Sequence, residues 1–310
     1  MTPYVHSHEN SQANHATRTA ASSAGFLLPH IDADTRILDI GCGPSSITCD
    51  LAEHILKQGG SSEQVYAVDN AAEAVMASKQ LASQRGLNIN IQQANTYQLP
   101  FADDTFDVVY AHQILYHLDD PLAAIYEWAR VVRPGGLIAS READYGAMTW
   151  YPPNPGLSRW RAVFSVVLAN NGGEPNAGRH VPTWFHQAGL SNLKVSSSTW
   201  TYGNEAERNW LADNWSARTT EDSYVRRAAE ALGDAAPQDS AGSETAGGEV
   251  GATTRQAIDQ IGLVGQTGRR LPAQCSSCHT SRSSRRCARA PSLGSKDTDG
   301  HANQSAPSAL

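Results

Sequence analysis

Ile37-Leu38-Asp39-Ile40-Gly41-Cys42-Gly43-Pro44 is the stretch on which the fold turns. A short apolar run leads straight into a glycine-rich turn, and a segment of helical spacing opens at Ile47. Strand, glycine turn and helix in that order build the ligand crevice of open α/β sheets. Gly41 and Gly43 let the backbone approach a ligand where a Cβ would collide. A dinucleotide site asks for G-x-G-x-x-G with pyrophosphate at the helix N-terminus. Here the third glycine position holds Ser46, and Asp39 would set a carboxylate beside two phosphates. A ligand that carries cations instead of phosphates suits this acidic strand better, and S-adenosyl-L-methionine, with an ammonium and a sulfonium, is one.

Outward from this stretch, apolar runs recur at Arg36–Ile40, Gln64–Asp69, Asn88–Gln93, Phe106–Ala111 and Gly136–Arg141. Segments of helical spacing lie between them at Ile47–Lys57, Ala71–Arg85 and Leu122–Val132, with Gly86 and the Pro134-Gly135-Gly136 turn as helix stops. Strand alternating with helix at this pitch predicts an α/β fold, a parallel sheet with helices on both faces. Pro152–Asn171 reads as a Pro-rich loop and an amphipathic helix. Trp184–Gly189 reads as a short helix, Leu193–Trp200 as a late strand and Glu205–Leu232 as helical.

Three further motifs follow the first in order. Val65-Tyr66-Ala67-Val68-Asp69 ends a second strand on a carboxylate able to take both hydroxyls of a ribose. Gln93-Ala94-Asn95-Thr96 follows the third strand, and Val108-Val109-Tyr110-Ala111-His112 ends the fourth where a crevice should open. Together with the VVRPGGLI run (residues 131–138), these residues resemble the class I S-adenosylmethionine-dependent methyltransferases. Within them the chain is most similar to the ubiquinone/menaquinone-biosynthesis methyltransferases and their fungal natural-product relatives. The resemblance covers roughly residues 35–145. It implies a Rossmann-like fold and a cofactor site in which Asp39, Gly41, Cys42 and Gly43 face the methionine end. It further implies that Asp69 takes the ribose, Asn95 and Thr96 border the adenine, and His112 faces the sulfonium, with an upstream helix near Arg18–Pro29 as a lid. The family usually has glycine at Ser45, and a serine there fits the turn if its φ is negative.

Methyl transfer is an in-line displacement, so positioning and exclusion of water carry most of the work. A base is needed only for an acceptor of high pKa. His112 and Glu142 are the candidate catalytic residues, with Asp144 and Tyr145 beside them; His112 reads more readily as a pocket wall than as a base. Asp103, Asp104 and Asp107 suit turn and cap roles, and the tryptophans from Trp150 to Trp215 suit a core. A second reading is a non-catalytic protein of the same fold that acts as a binding partner.

The 310-residue chain is 40% hydrophobic and 18% charged, with a formal net charge of −7. That balance disfavours nucleic-acid binding, which needs clustered Lys and Arg. No apolar run approaches the roughly 20 residues of a membrane span. Few cysteines and no leader-like segment point to the cytoplasm. After Tyr224 there is no aromatic residue, an abrupt change that a shifted reading frame or a retained intron would also produce. The expected organisation is a flexible N-terminus over 1–15 and a methyltransferase domain over 16–232. Its cofactor half is 16–145 and its substrate wall 146–232; a disordered tail follows over 233–310. In that tail Cys275-Ser276-Ser277-Cys278-His279 matches a haem-attachment pattern, but a solvated segment is the preferred reading and no metal is expected.

Overall fold

The computed structural model describes residues 17–232 and 308–309. The sequence elements appear in the expected alternation. Strand β1 is Ile37–Ile40, helix α2 Ser46–Lys57, β2 Val65–Asp69, α3 Ala72–Gln84, β3 Asn90–Gln93, β4 Phe106–His112, α4 Pro121–Val131 and β5 Val132–Arg141. A single turn of helix, α1 (Ala20–Ser23), precedes them. The two-residue strand β6, Ser308–Ala309, pairs with Leu137 and Ile138. Sheet order is β3-β2-β1-β4-β5-β6, and every pairing is parallel.

β1 is buried at all four positions, which is what a strand covered on both faces requires. One face packs Leu27, Ile37, Leu51, Ile55, Val65 and Tyr110 beneath α1 and α2. The other packs Leu38, Ile40, Phe106, Ile125, Trp128 and Ile138 beneath α4. α4 starts where local chemistry dictates: Pro121 needs no N–H partner in the first turn, and Asp120 accepts from the Ala123 N–H at 2.9 Å.

The structure departs from the sequence reading in three places. The Pro134-Gly135-Gly136 turn lies inside β5, where the ladder shifts register opposite Phe106 and Val108. Glu205–Leu232 divides into α7 (Glu205–Thr219) and α8 (Asp222–Leu232), after α5 (Pro155–Asn170) and α6 (Ala177–Gln187). No strand forms at Leu193–Trp200. The edge of β5 is taken by β6 at Leu137 and Ile138, so that segment has no ladder to join, and Val195 is 70% exposed.

Beyond β5, helices α5 and α8 pack an aromatic cluster of Tyr145, Trp160, Phe164, Trp215 and Tyr224. Trp160 and Phe164 lie 4.6 and 5.1 Å from Trp215, both edge-on. The tryptophans Trp160 and Trp215 are therefore core, as their spacing predicts. The expected flexible N-terminus, the expected disordered tail and the Cys275–His279 motif lie outside the described residues, the two residues of β6 excepted.

Candidate functional site

At the carboxyl ends of β1, β2 and β4 a cavity of about 570 Å³ opens. The sheet brings Asp39, Gly41, Cys42, Gly43, Asp69, Thr96 and His112 to its lining. Asn95 is exposed and absent from that lining; its Oδ1 accepts from the Tyr97 N–H at 3.0 Å and shapes the turn after β3. Gln93 and Ala94 line the cavity in its place.

Gly41 shows why the turn needs glycine. Its φ is +68°, and a Cβ there would lie 2.0 Å from Ile114 Cδ1. Gly43, at φ +54°, donates its N–H to Asp69 Oδ2 at 3.0 Å, which ties the turn to the end of β2. The other oxygen, Asp69 Oδ1, accepts from the Ala71 N–H and so orients the start of α3. Ser45 does not meet the condition of a negative φ: it is left-handed at +64°. Its buried hydroxyl forms a short hydrogen bond with Ser78 on α3, a local compensation for the backbone strain.

Asp39 is 3% exposed and takes a 2.6 Å hydrogen bond from Thr48 Oγ1. Burial pushes its pKa up to about 7; the Thr48 bond pulls down, and the nearby Asp69 charge pushes further up. A cation placed in this cavity would restore its ionisation. Burial, and then the Asp69 and Asp39 charges, raise the Cys42 thiol, so it stays protonated.

His112 ends β4 and is 8% exposed. Its Nδ1 faces Arg18 Nη1 at 3.2 Å, and its Nε2 is buried without a hydrogen-bond partner. Burial first, then the charges of Arg18 and Arg141, hold its pKa well below the usual histidine value. Glu142 is placed differently from what its position after β5 suggested. Its carboxylate accepts from the N–H groups of Ile114 and Leu115 at 3.0 Å and of Tyr116 at 3.4 Å, and it lies outside the cavity lining. Burial raises its pKa to about 7 against the pull of those amides.

The chain was compared with known proteins. A family model described as a methyltransferase domain matches residues 38–140. An uncharacterized methyltransferase of Schizosaccharomyces pombe is 34% identical over 203 residues, which span 64% of this chain and 72% of that protein. The chain belongs to the class I S-adenosylmethionine-dependent methyltransferases. An O-methyltransferase of Aspergillus sclerotiorum is 34% identical over 161 residues, 51% of this chain and 58% of that protein. A solved SAM-dependent methyltransferase from Aquifex aeolicus is 17% identical and aligns over 62% of this chain and 82% of its own, with a TM-score of 0.39.

The cofactor of this methyltransferase is S-adenosylmethionine, and the residues present fit it. A buried carboxyl with a pKa near 7 wants a cation, and the Gly41–Gly43 turn leaves room for a ligand against the backbone. Sequence reasoning missed Glu73, Ile114 and Asp119 in the lining and named Arg18 only as the start of the lid. Arg18 lies upstream of every motif and reaches the site only through the α1 approach. Ile114 could have been found, since a glycine that must be Cβ-free implies a close neighbour. Among the described residues no helix is long and apolar enough to cross a membrane, and no group of His, Cys, Asp and Glu could hold a metal ion.

Proposed function

We propose that this methyltransferase transfers the methyl group of S-adenosylmethionine to an oxygen of a small molecule, in the cytoplasm and within secondary metabolism. The observation that carries the reading is the cavity at the carboxyl ends of β1, β2 and β4, which gathers acidic and basic side chains. Asp39, Asp69, Arg18 and His112 all line it. The named activity of the Aspergillus relative supports oxygen as the acceptor atom.

When bound, the cofactor supplies a methyl group activated by a sulfonium. The protein's own part is to hold and exclude. Asp39, once ionised, pairs with the ammonium of the methionine moiety, and the Asp69 carboxylate accepts from the ribose hydroxyls. Thr96, fixed by a 2.9 Å hydrogen bond from Trp128 Nε1, forms the wall beside the adenine. His112 positions the acceptor. Asp120-capped α4 and the short helical turn Leu115–His117, whose N-terminal amides Glu142 holds, keep the floor of the cavity in place. Such positioning is worth several kcal/mol in a bimolecular displacement.

The test uses purified protein and S-adenosylmethionine with an isotopically labelled methyl group, mixed with a small-molecule extract of a strain lacking the gene. Label recovered in an alkali-stable methyl ether or a methyl ester establishes transfer to oxygen. Label on nitrogen or carbon, or no label in any small molecule, rejects the reading.

A further inference from the structure

Next to Arg18 and His112, which line the cavity, Arg141 and Trp200 lie just outside its lining and form a cluster of a different charge. β4 and β5 place His112 and Arg141 directly across from each other in the ladder. Arg18 comes over from the segment before α1 and reaches His112 Nδ1. Trp200 completes the group, with the Arg141 guanidinium 4.5 Å and the Arg18 guanidinium 5.2 Å from its ring, and the His112 ring 6.2 Å away.

Arg141 holds only neutral partners. Its Nε and Nη2 donate to Ser198 Oγ at 3.2 and 2.8 Å, and its Nη1 donates to the Ser22 carbonyl at 3.2 Å. Among the described residues it has no ion pair, which it shares with Arg36 and Arg161, each also held over an aromatic ring. A half-buried guanidinium without an anion is costly to keep. Beside it, His112 Nε2 is buried and unpartnered. A guanidinium only donates, so Arg18 obliges Nδ1 to accept, and the ring proton sits on Nε2. Among the described residues, His112 and Arg141 therefore present an N–H donor and a guanidinium without an ion pair.

We propose that this cluster is an anion site, and that the methyl acceptor enters with an ionised oxygen, as a carboxylate or an acidic phenolate, held by His112 Nε2–H and Arg141 against Trp200. The inference rests on the methyl-transfer reading and adds the acceptor's chemical class. It also accounts for the proton. A lone pair of the ionised oxygen forms the new O–C bond while the C–S bonding pair leaves with the sulfur, and the anionic and sulfonium charges cancel. No proton has to be removed, so no base is required.

Calorimetric titration of the full chain, saturated with S-adenosylhomocysteine, tests this with two probe pairs: benzoate against benzamide, and ionised 4-nitrophenol against 4-nitroanisole. The expected result is that at least one anion binds roughly tenfold or more tightly than its neutral partner, the scale of one charge-assisted hydrogen bond. Preference confined to benzoate identifies a carboxylate site, and preference confined to nitrophenolate a phenolate site. In Arg141→Gln the preference should disappear, and in Arg141→Lys it should persist in part. If Arg141 merely ties down Trp200 through Ser198, the Gln variant weakens anion and neutral probe alike and leaves their ratio unchanged, which overturns the proposal. Equal affinity within both pairs, or no anion binding at millimolar concentration, overturns it on the wild type alone. Failure of S-adenosylhomocysteine itself to bind would instead sink the methyl-transfer reading, so the two failures are distinguishable.

Discussion

Arg18 and His112, 94 residues apart in the chain, meet through Arg18 Nη1 and His112 Nδ1 at 3.2 Å. The pair settles how the imidazole can act. With Arg18 donating to Nδ1 the proton sits on Nε2; burial opposes a second proton, and the charges of Arg18 and Arg141 oppose it further. His112 is thus a neutral donor throughout the working pH range. We expect His112→Ala to lower kcat/KM on the order of 100-fold, the cost of misplacing a reactant by about 1 Å. The pH profile should keep its shape. An acid limb near pH 6.5 in the wild type that vanishes in the variant would show a general base instead.

Asp39 makes cofactor affinity depend on pH. Its folded pKa of about 7 stands above the ordinary 3.8, so the apo protein is protonated there below neutrality, while the cofactor ammonium requires the carboxylate. The Kd for S-adenosylhomocysteine, whose methionine end is the same, should fall as pH rises through about 7 and then level off. Apo stability runs the other way: the contribution present below pH 3.8 is lost as pH rises through 7. Asp39→Asn should flatten the Kd curve and reduce the fall in stability to the part that Glu142 contributes. Calorimetry and thermal melts from pH 5 to 8.5 read them (about one ordinary buffer series). A pH-independent Kd in the wild type would remove Asp39 from the cation site.

Asp69→Ala should weaken S-adenosylmethionine binding by about 1.5–3 kcal/mol, the scale of a lost pair of charge-assisted hydrogen bonds. It also frees the Gly43 N–H, so the turn after β1 loses its tie to β2. An unchanged dissociation constant would take Asp69 out of the site.

The first strand, its glycine turn and the two acidic strand ends could be read directly because each is a local pattern. A glycine, a carboxylate and an apolar run declare themselves within a few residues. Ser45 and Glu142 could not be read that way. The left-handed φ of Ser45 is tolerable only because Ser78, 33 residues on, meets its hydroxyl. Glu142 looked catalytic from its place after β5, but its carboxylate is spent on amides that begin 26 to 28 residues earlier. The missing strand at Leu193–Trp200 has the right residues for a strand; pairing is decided by the neighbouring edge, which no local pattern records.

Glu142 should behave as a structural clamp. Glu142→Ala leaves three backbone donors without their acceptor, and we expect a loss of about 1–3 kcal/mol in unfolding free energy. Glu142→Gln keeps one acceptor oxygen and should recover part of it. Because burial raises the folded pKa to about 7, the wild-type contribution present below the ordinary 4.5 fades as pH rises through 7. Turnover should fall only as far as stability does, measured on protein kept folded at low temperature. A Gln variant with wild-type stability and abolished turnover would return Glu142 to the chemistry.

Ser45 and Ser78 form a pair whose parts should not add. Ser45→Gly relieves a left-handed non-glycine residue, a gain of about 1 kcal/mol. It also removes the oxygen partner of the buried Ser78 hydroxyl on α3, which keeps only the long contact from Cys42 Sγ at 3.9 Å, at a cost of about 1–3 kcal/mol. The single variant should therefore be no more stable than wild type. In Ser45→Gly/Ser78→Ala the poorly partnered hydroxyl is gone and the relief remains, so the double variant should exceed the single by about 1 kcal/mol. Cofactor Kd should stay unchanged in both, since glycine adopts the same left-handed backbone and the turn keeps its shape. Denaturant melts of the four proteins complete the cycle. Additive effects would mean that the Ser45–Ser78 bond does not compensate the strain, and a tightened cofactor Kd in Ser45→Gly would mean that the serine narrows the turn.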